Sequence, residues 1–243
     1  MTLVAAFRCR NTGILLCADR EEDDSYTKRE VDKIFRAGFH QFELFIAGAG
    51  LTTAVMDAWA EINRDLQRAA NLDKRDIEVE HRSVIESSLR TIHAKHKNDL
   101  KNFPLYLLIV VALRKQNSIP ILYRTDRSTL IEEGYYAAVG TGKLLSDYFA
   151  SYLYKHGAQD DYLAVLASFI LKEAEKYASG VGHGNDMVFI CPNGLLKFLS
   201  KESIAEIQAG IPDLKDAIHS CWAERLKVPA WLKDYAASSG LTA

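Results

Sequence analysis

Two apolar runs at the start of the chain restrict its fold more than any other feature. Leu3-Val4-Ala5-Ala6-Phe7 and Gly13-Ile14-Leu15-Leu16-Cys17-Ala18 carry almost no polar residue, and Arg10-Asn11-Thr12 between them has hairpin-turn chemistry. A strand with one wet face alternates apolar and polar residues. A strand without alternation needs cover on both faces. The chain is therefore expected to open with an interior layer.

The remaining segments supply that cover. A polar loop over 19–29 contains the acidic run Glu21-Glu22-Asp23-Asp24, read as solvated. Short strands are expected at Ile34-Phe35 and over 42–47. Val55, Trp59, Ile62, Leu66 and Ala69 then recur at the spacing of one helix face, and Ile85, Leu89, Ile92 and His96 repeat it. Strand signals return at 105–113, 119–123 and 129–132, with a turn at Asn117-Ser118. Two further helices are expected over 143–154 and 162–177. A hairpin follows, pairing 187–191 with 195–199 across Pro192-Asn193-Gly194. From Ser203 the pattern is helical and then irregular. Two antiparallel sheets face to face, each with a helix pair outside, bury every apolar stripe in this order. The expected class is α+β, a four-layer αββα sandwich. With no linker or repeat in view, residues 1–243 read as one domain, with a core over 2–199 and a helical extension over 200–243.

Charge and cysteine usage narrow the partners. Thirty Lys and Arg stand against 32 Asp and Glu, a formal charge of −2, which offers no electrostatic ground for a nucleic-acid or anionic-membrane partner. The longest apolar run, 105–113, falls well short of the roughly 20 residues a membrane helix needs. Cys9, Cys17, Cys191 and Cys221 show neither a disulfide framework nor zinc spacing, which favours a reducing cytoplasm. His93 and His96 lack a third ligand and read as exposed helix residues. Ser179, His183 and Asp186 are the right types for a triad but crowd into one Gly-rich loop. That loop, 180–184, lacks the strand-loop-helix order and Lys-Ser/Thr ending of a phosphate loop. Neither cofactor nor metal is expected.

The order of several short motifs is more informative than any one of them. Thr2-Leu3-Val4-Ala5-Ala6-Phe7-Arg8, Cys17-Ala18-Asp19-Arg20, Val31-Asp32-Lys33-Ile34-Phe35 and Ile46-Ala47-Gly48-Ala49-Gly50 together resemble the proteasome β-subunit family of N-terminal-nucleophile hydrolases. Ala138-Val139-Gly140-Thr141-Gly142, Ser179-Gly180 and Asp186-Met187-Val188-Phe189-Ile190 extend the likeness to about Leu199. The chain departs from the family pattern at Lys176, where the family usually carries Asp three residues before Ser-Gly, and in one extra residue after Ser179.

The resemblance implies a threonine-type peptidase. Thr2 would be the nucleophile once Met1 is removed, with its own α-amino group as base, since such amines titrate near ~7.7–8.0. Lys33 would lower the proton affinity of the hydroxyl, and Asp19 would pair with Lys33. Thr141 and Ser179 would orient the amine. The Gly48 N–H would face the oxyanion. Ile46 would line the pocket for the residue before the scissile bond or, equally, belong to the core. The implied partners are a polypeptide substrate and copies of the same chain in a ring, with no activator specified. A non-cleaving assembly subunit and an amidase of small molecules are the alternatives on the same fold.

Overall fold

The computed structural model describes residues 2–10, 13–23, 28–72, 77–115, 118–216 and 220, and it forms the expected four layers. The first sheet contains β1 (Leu3–Arg8), β2 (Ile14–Asp19), β10 (Tyr136–Gly140), β11 (Asn185–Ile190) and β12 (Leu196–Phe198), in the order β10-β1-β2-β11-β12. The second contains β5 (Ile34–Gly38), β6 (Phe42–Ala49), β7 (Tyr106–Leu113), β8 (Ile121–Asp126) and β9 (Thr129–Glu132), ordered as numbered. Pairing is antiparallel throughout both sheets.

The opening runs behave as their lack of alternation requires. Successive strand side chains point to opposite faces. On β1 and β2, Val4, Ala6, Ile14, Leu16 and Ala18 meet Phe45, Ala47, Leu108 and Val110 of the second sheet. Leu3, Ala5, Phe7, Leu15 and Cys17 point the other way, under α3 (Lys143–Leu153) and α4 (Asp160–Tyr177). The outer face of the second sheet is covered by α1 (Thr52–Leu72) and α2 (Ile77–Lys95) through Ala54, Ala58, Ile62, Leu66, Ile85, Leu89 and Ile92. Each fully buried Leu or Ile on these seams contributes about 1.5–3 kcal/mol over its exposed state.

Three expectations need correction. The acidic run is not a solvated loop: β3 (Glu21–Asp23) and β4 (Lys28–Glu30) pair as a two-stranded ribbon, opposing Glu22 to Arg29 and Asp23 to Lys28. The Arg29–Glu22 and Lys28–Glu21 ion pairs support it, and Glu21 is buried. The second is the absence of β10 from the expected strands: Tyr136 to Gly140 pair along β1 as its outer neighbour. The third concerns the histidines, which are half-buried; His96 Nε2 lies 2.6 Å from Asp57 and ties α2 to α1. Met1, Asn11, Thr12, Asp24, Asn117 and Cys221 lie outside the described residues, as does most of the chain after Asp216. α5 (Lys201–Ala209) is capped by Ser200 Oγ on the Ser203 N–H, and residues 211–216 are helical after it. Among the described residues no helix is long and apolar enough to cross a membrane. Cys9 and Cys17 are buried, and burial pushes the Cys17 thiol up to about 12.

Candidate active site

Thr2 stands at the head of an interior strand, and the backbone around it is built for close approach. Gly140, at φ +98°, ends β10 opposite Leu3; a Cβ there would lie 2.1 Å from the Thr2 carbonyl oxygen. That oxygen accepts from the Thr141 hydroxyl at 3.3 Å and from the Gly142 N–H at 3.4 Å. Glycine is required at residue 140 because a positive φ and a neighbouring carbonyl leave no room for a side chain.

The Thr2 side chain is equally fixed. Its hydroxyl donates to Asp19 Oδ1 and accepts from Lys33 Nζ. Asp19, the last residue of β2, is fully buried. Oδ1 also accepts the Leu3 N–H at 2.8 Å; Oδ2 accepts Lys33 Nζ at 2.9 Å, the Glu21 N–H at 3.1 Å and the Gly182 N–H at 3.2 Å. Lys33 precedes β5, is 9% exposed and also donates to the Glu21 carbonyl. Burial pushes the Lys33 ammonium below its ordinary range, against the charges of Asp19, Glu21 and Glu22, which favour the protonated form. A hydroxyl with a cation on one side and a carboxylate on the other is polarised toward loss of its proton.

These groups border a cleft of about 520 Å³. Thr2, Lys33 and the ribbon residues Glu21, Glu22 and Arg29 form its polar side; Val31, Phe35, Val55 and Met56 form an apolar one. Gly48 faces the cleft from β6, and the place of its absent Cβ is taken by Val55 Cγ1, which would lie 2.5 Å from it. The strand-to-helix turn after β6 uses Gly50 instead, at φ +114° against the Pro104 carbonyl. Burial would raise the Glu22 carboxyl, but hydrogen bonds from Arg29 and Thr52 outweigh it and hold the group below the usual carboxylate range.

Of the residues singled out from sequence, Thr2, Asp19, Lys33, Thr141 and Gly48 come together. Two do not. Ile46 is fully buried among the helix-covered core residues and does not line the cleft, in keeping with its core alternative. Ser179 is exposed and makes no hydrogen bond to Thr2 among the described residues; its loop instead sends the Gly182 N–H to Asp19. Lys176, at the position of the family's Asp, lies exposed on the last turn of α4, 4.9 Å from the ring centroid of Tyr177. A Ser179-His183-Asp186 triad, set aside from the spacing alone, is not formed: Asp186 pairs with Arg20, and His183 Nε2 lies 3.8 Å from Glu21. Sequence reasoning missed Glu21, Val31, Phe35, Val55 and Gly182. Only the apolar residues on either side of Lys33 carried a usable signal. Among the described residues no group of three or more His, Cys, Asp or Glu is arranged to hold a metal ion.

Comparison with known proteins agrees with the fold. The family model described as Proteasome subunit matches residues 2–190. A proteasome subunit beta from Methanopyrus kandleri is 28% identical over 199 residues, covering 80% of this chain and 90% of the relative. Among solved structures, a mutant of Anbu from Hyphomicrobium sp. strain MC1 superposes with a TM-score of 0.77 at 14% identity, covering 95% of this chain and all (100%) of that one. Anbu from Yersinia bercovieri, described as an ancestral beta-subunit, gives 0.74 at 13% identity, with 94% and 99% covered. The helical assembly of the Anbu complex from Pseudomonas aeruginosa gives 0.72 at 12%, with 94% and 98% covered. At such identities the structural matches speak for the fold.

Proposed function

This chain belongs to the proteasome subunit family, and from that membership we propose that it is a threonine-type peptidase with Thr2 as nucleophile. One observation carries the reading: the Thr2 hydroxyl lies between the Lys33 ammonium and the Asp19 carboxylate at the edge of a cleft. Removal of Met1 frees the Thr2 amine. That amine takes the hydroxyl proton as Thr2 Oγ1 attacks the substrate carbonyl carbon. The C–N bond of the tetrahedral intermediate breaks, the proton passes to the leaving amine, and an acyl ester remains on Thr2. Water then attacks the ester with the amine again as base, releasing the acid and restoring the hydroxyl. Lys33 stabilises the developing alkoxide, Asp19 holds Lys33 in place, Thr141 fixes the Thr2 backbone, and the Gly48 N–H faces the oxyanion. Ser179 takes no part.

The same reading places the chain in an oligomer of its own copies, a ring or a helical array. Leu144, Tyr148 and Tyr152 form an exposed apolar stripe at helical spacing on α3, which supports a subunit contact there. Mass photometry of the parent and of Tyr148→Glu tests this: a monomeric parent removes the assembly from the reading.

Intact mass spectrometry with and without a peptide epoxyketone tests the chemistry. The expected result is loss of the Met1 mass and a covalent adduct that Thr2→Ala abolishes. A retained Met1 with no adduct would sink the mechanism. It would favour a non-cleaving assembly subunit, a reading with its own support in a Thr2 only 3% exposed and without a Ser179 hydroxyl.

A further inference from the structure

Arg20 follows Asp19 directly, yet its side chain does not line the cleft. Its guanidinium meets three carboxylates: Glu30 at 2.7 Å, Asp32 at 2.5 Å and Asp186 at 2.5 Å. Its backbone is as fully used. The Arg20 N–H is shared between the carbonyls of Gly182 and Gly184, both at 3.0 Å, and the Arg20 carbonyl accepts the Val31 N–H at 2.9 Å.

The partners are the segments on which the site depends. Asp32 immediately precedes Lys33. Glu30 ends β4, opposite Glu21, whose N–H reaches Asp19 and whose carbonyl takes the Lys33 proton donor. Asp186 follows the loop that brings the Gly182 N–H to Asp19. The Asp186 contact is a hydrogen bond; those to Glu30 and Asp32 are ion pairs to side chains 47% and 74% exposed, and Arg20 Nε has no hydrogen-bond partner among the described residues. An ammonium, a point charge, would lack the guanidinium's fork for Asp186. Arg20 thus links, in one side chain, the segments that feed the Asp19 carboxylate from outside its own hairpin. Glu30 is further held by Lys201 at 3.0 Å, so the ribbon end does not rely on Arg20 alone.

We propose that Arg20 is a positioning residue for hydrolysis, keeping Lys33 and Asp19 in register with Thr2 through a clamp on Glu30, Asp32 and Asp186. The inference rests on the peptidase reading of Thr2. Arg20 itself does not line the cleft, although its partner Asp32 does, so the loss is expected mainly in the chemical step and is read from kcat and the adduct rate. Misplacement of reacting groups by about 1 Å costs on the order of 100-fold in rate.

The experiment compares the full-length parent with Arg20→Ala, Arg20→Lys, Asp32→Asn and Arg114→Ala. The readouts are kcat and KM on a fluorogenic peptide, the rate of epoxyketone adduct formation, and the melting midpoint. Arg20→Ala is expected to lower kcat and the adduct rate by roughly 100-fold with little change in KM. Arg20→Lys should recover part of that loss, and Asp32→Asn should show a smaller loss of the same kind. Arg114→Ala, at a clamp remote from the cleft, should lower the melting midpoint and leave kcat unchanged. A kcat for Arg20→Ala equal to that of the parent, measured well below its melting midpoint, overturns the proposal. If that variant does not fold, Arg20→Lys and Asp32→Asn decide by the same criterion. A parent that forms no adduct removes the peptidase reading and with it a role in hydrolysis. Hydrogen exchange then separates the two failures: faster exchange confined to 28–33 and 182–186 in Arg20→Lys shows the clamp itself to be real.

Discussion

The two ends of β6 (Phe42–Ala49) each lie near a buried carboxylate, and the contrast between them separates architecture from chemistry. Near its start, Glu43 is buried and held by Arg36 at 3.1 Å and by Arg114. Both arginines are about half exposed, at 47% and 44%, and neither faces the cleft. Near its end, Gly48 faces the cleft that Thr2 and Lys33 also border, and Asp19 is held by backbone N–H groups, a hydroxyl and a lysine that are themselves enclosed. Burial of charge is common to both ends. A threonine hydroxyl beside an opening exists at one. The buried ion pair on its own is thus a poor marker of a site.

The largest effect should come from Lys33→Ala. Leaving Asp19 buried without its cation is expected to cost about 3–5 kcal/mol of stability, and peptide hydrolysis should fall by roughly 10²–10⁴; chemical denaturation and steady-state rates measure the two. A variant that kept its rate would erase the contrast. Glu43→Ala should cost less, about 1–3 kcal/mol, because the stranded arginines reach solvent, and its kcat should stay that of the parent. Gly48→Ala should be destabilising by about 1–3 kcal/mol through the clash with Val55 Cγ1. Most of that loss should return in the Gly48→Ala/Val55→Ala double variant, as read by melting midpoint and adduct rate. An additive pair would mean that Val55 is not what Gly48 accommodates.

The smallest effect is one of pH. Burial would raise the Glu43 carboxyl, but Arg36 and Arg114 outweigh it and hold the group below 4.5 in the fold. The unfolded chain then binds more protons in the window between the two values, so stability rises with pH there. The contribution is full above the unfolded carboxylate value and is lost as pH falls through the folded one. Urea titrations from pH ~5.5 down to ~3 should therefore show a shallower acid loss for Glu43→Gln than for the parent.

The layers were legible because period and run length are local properties. The hairpin of β1 and β2 and the seams of α1 and α2 needed no distant partner to be read. Thr2, Asp19 and Lys33 were legible through family resemblance, since each sits at a fixed step from a strand end. The errors share a cause in long-range geometry. Ile46 is not among them: it lies two residues from Gly48 on β6, on the face toward α1, as its core alternative required. Glu21 could not be read as buried, because its surroundings depend on β4 and on the loop at 182–184. Ser179 was placed by motif, whereas its loop, with one extra residue, offers a backbone N–H instead of a hydroxyl.

Gly182 reaches Asp19 across 163 positions of sequence, and β1 waits for β10 almost as long. The second sheet, by contrast, is a meander complete by Glu132. Contacts of high sequence separation form late because loop closure must precede them, and chains fold from the N-terminal side as they leave the ribosome. The strand made first pairs early with β2 but is therefore expected to gain its outer neighbour β10 late. On the timescale of synthesis, Asp19 would gain the Gly182 N–H only after residue 182 is made, so on the peptidase reading the order of assembly would itself delay activity.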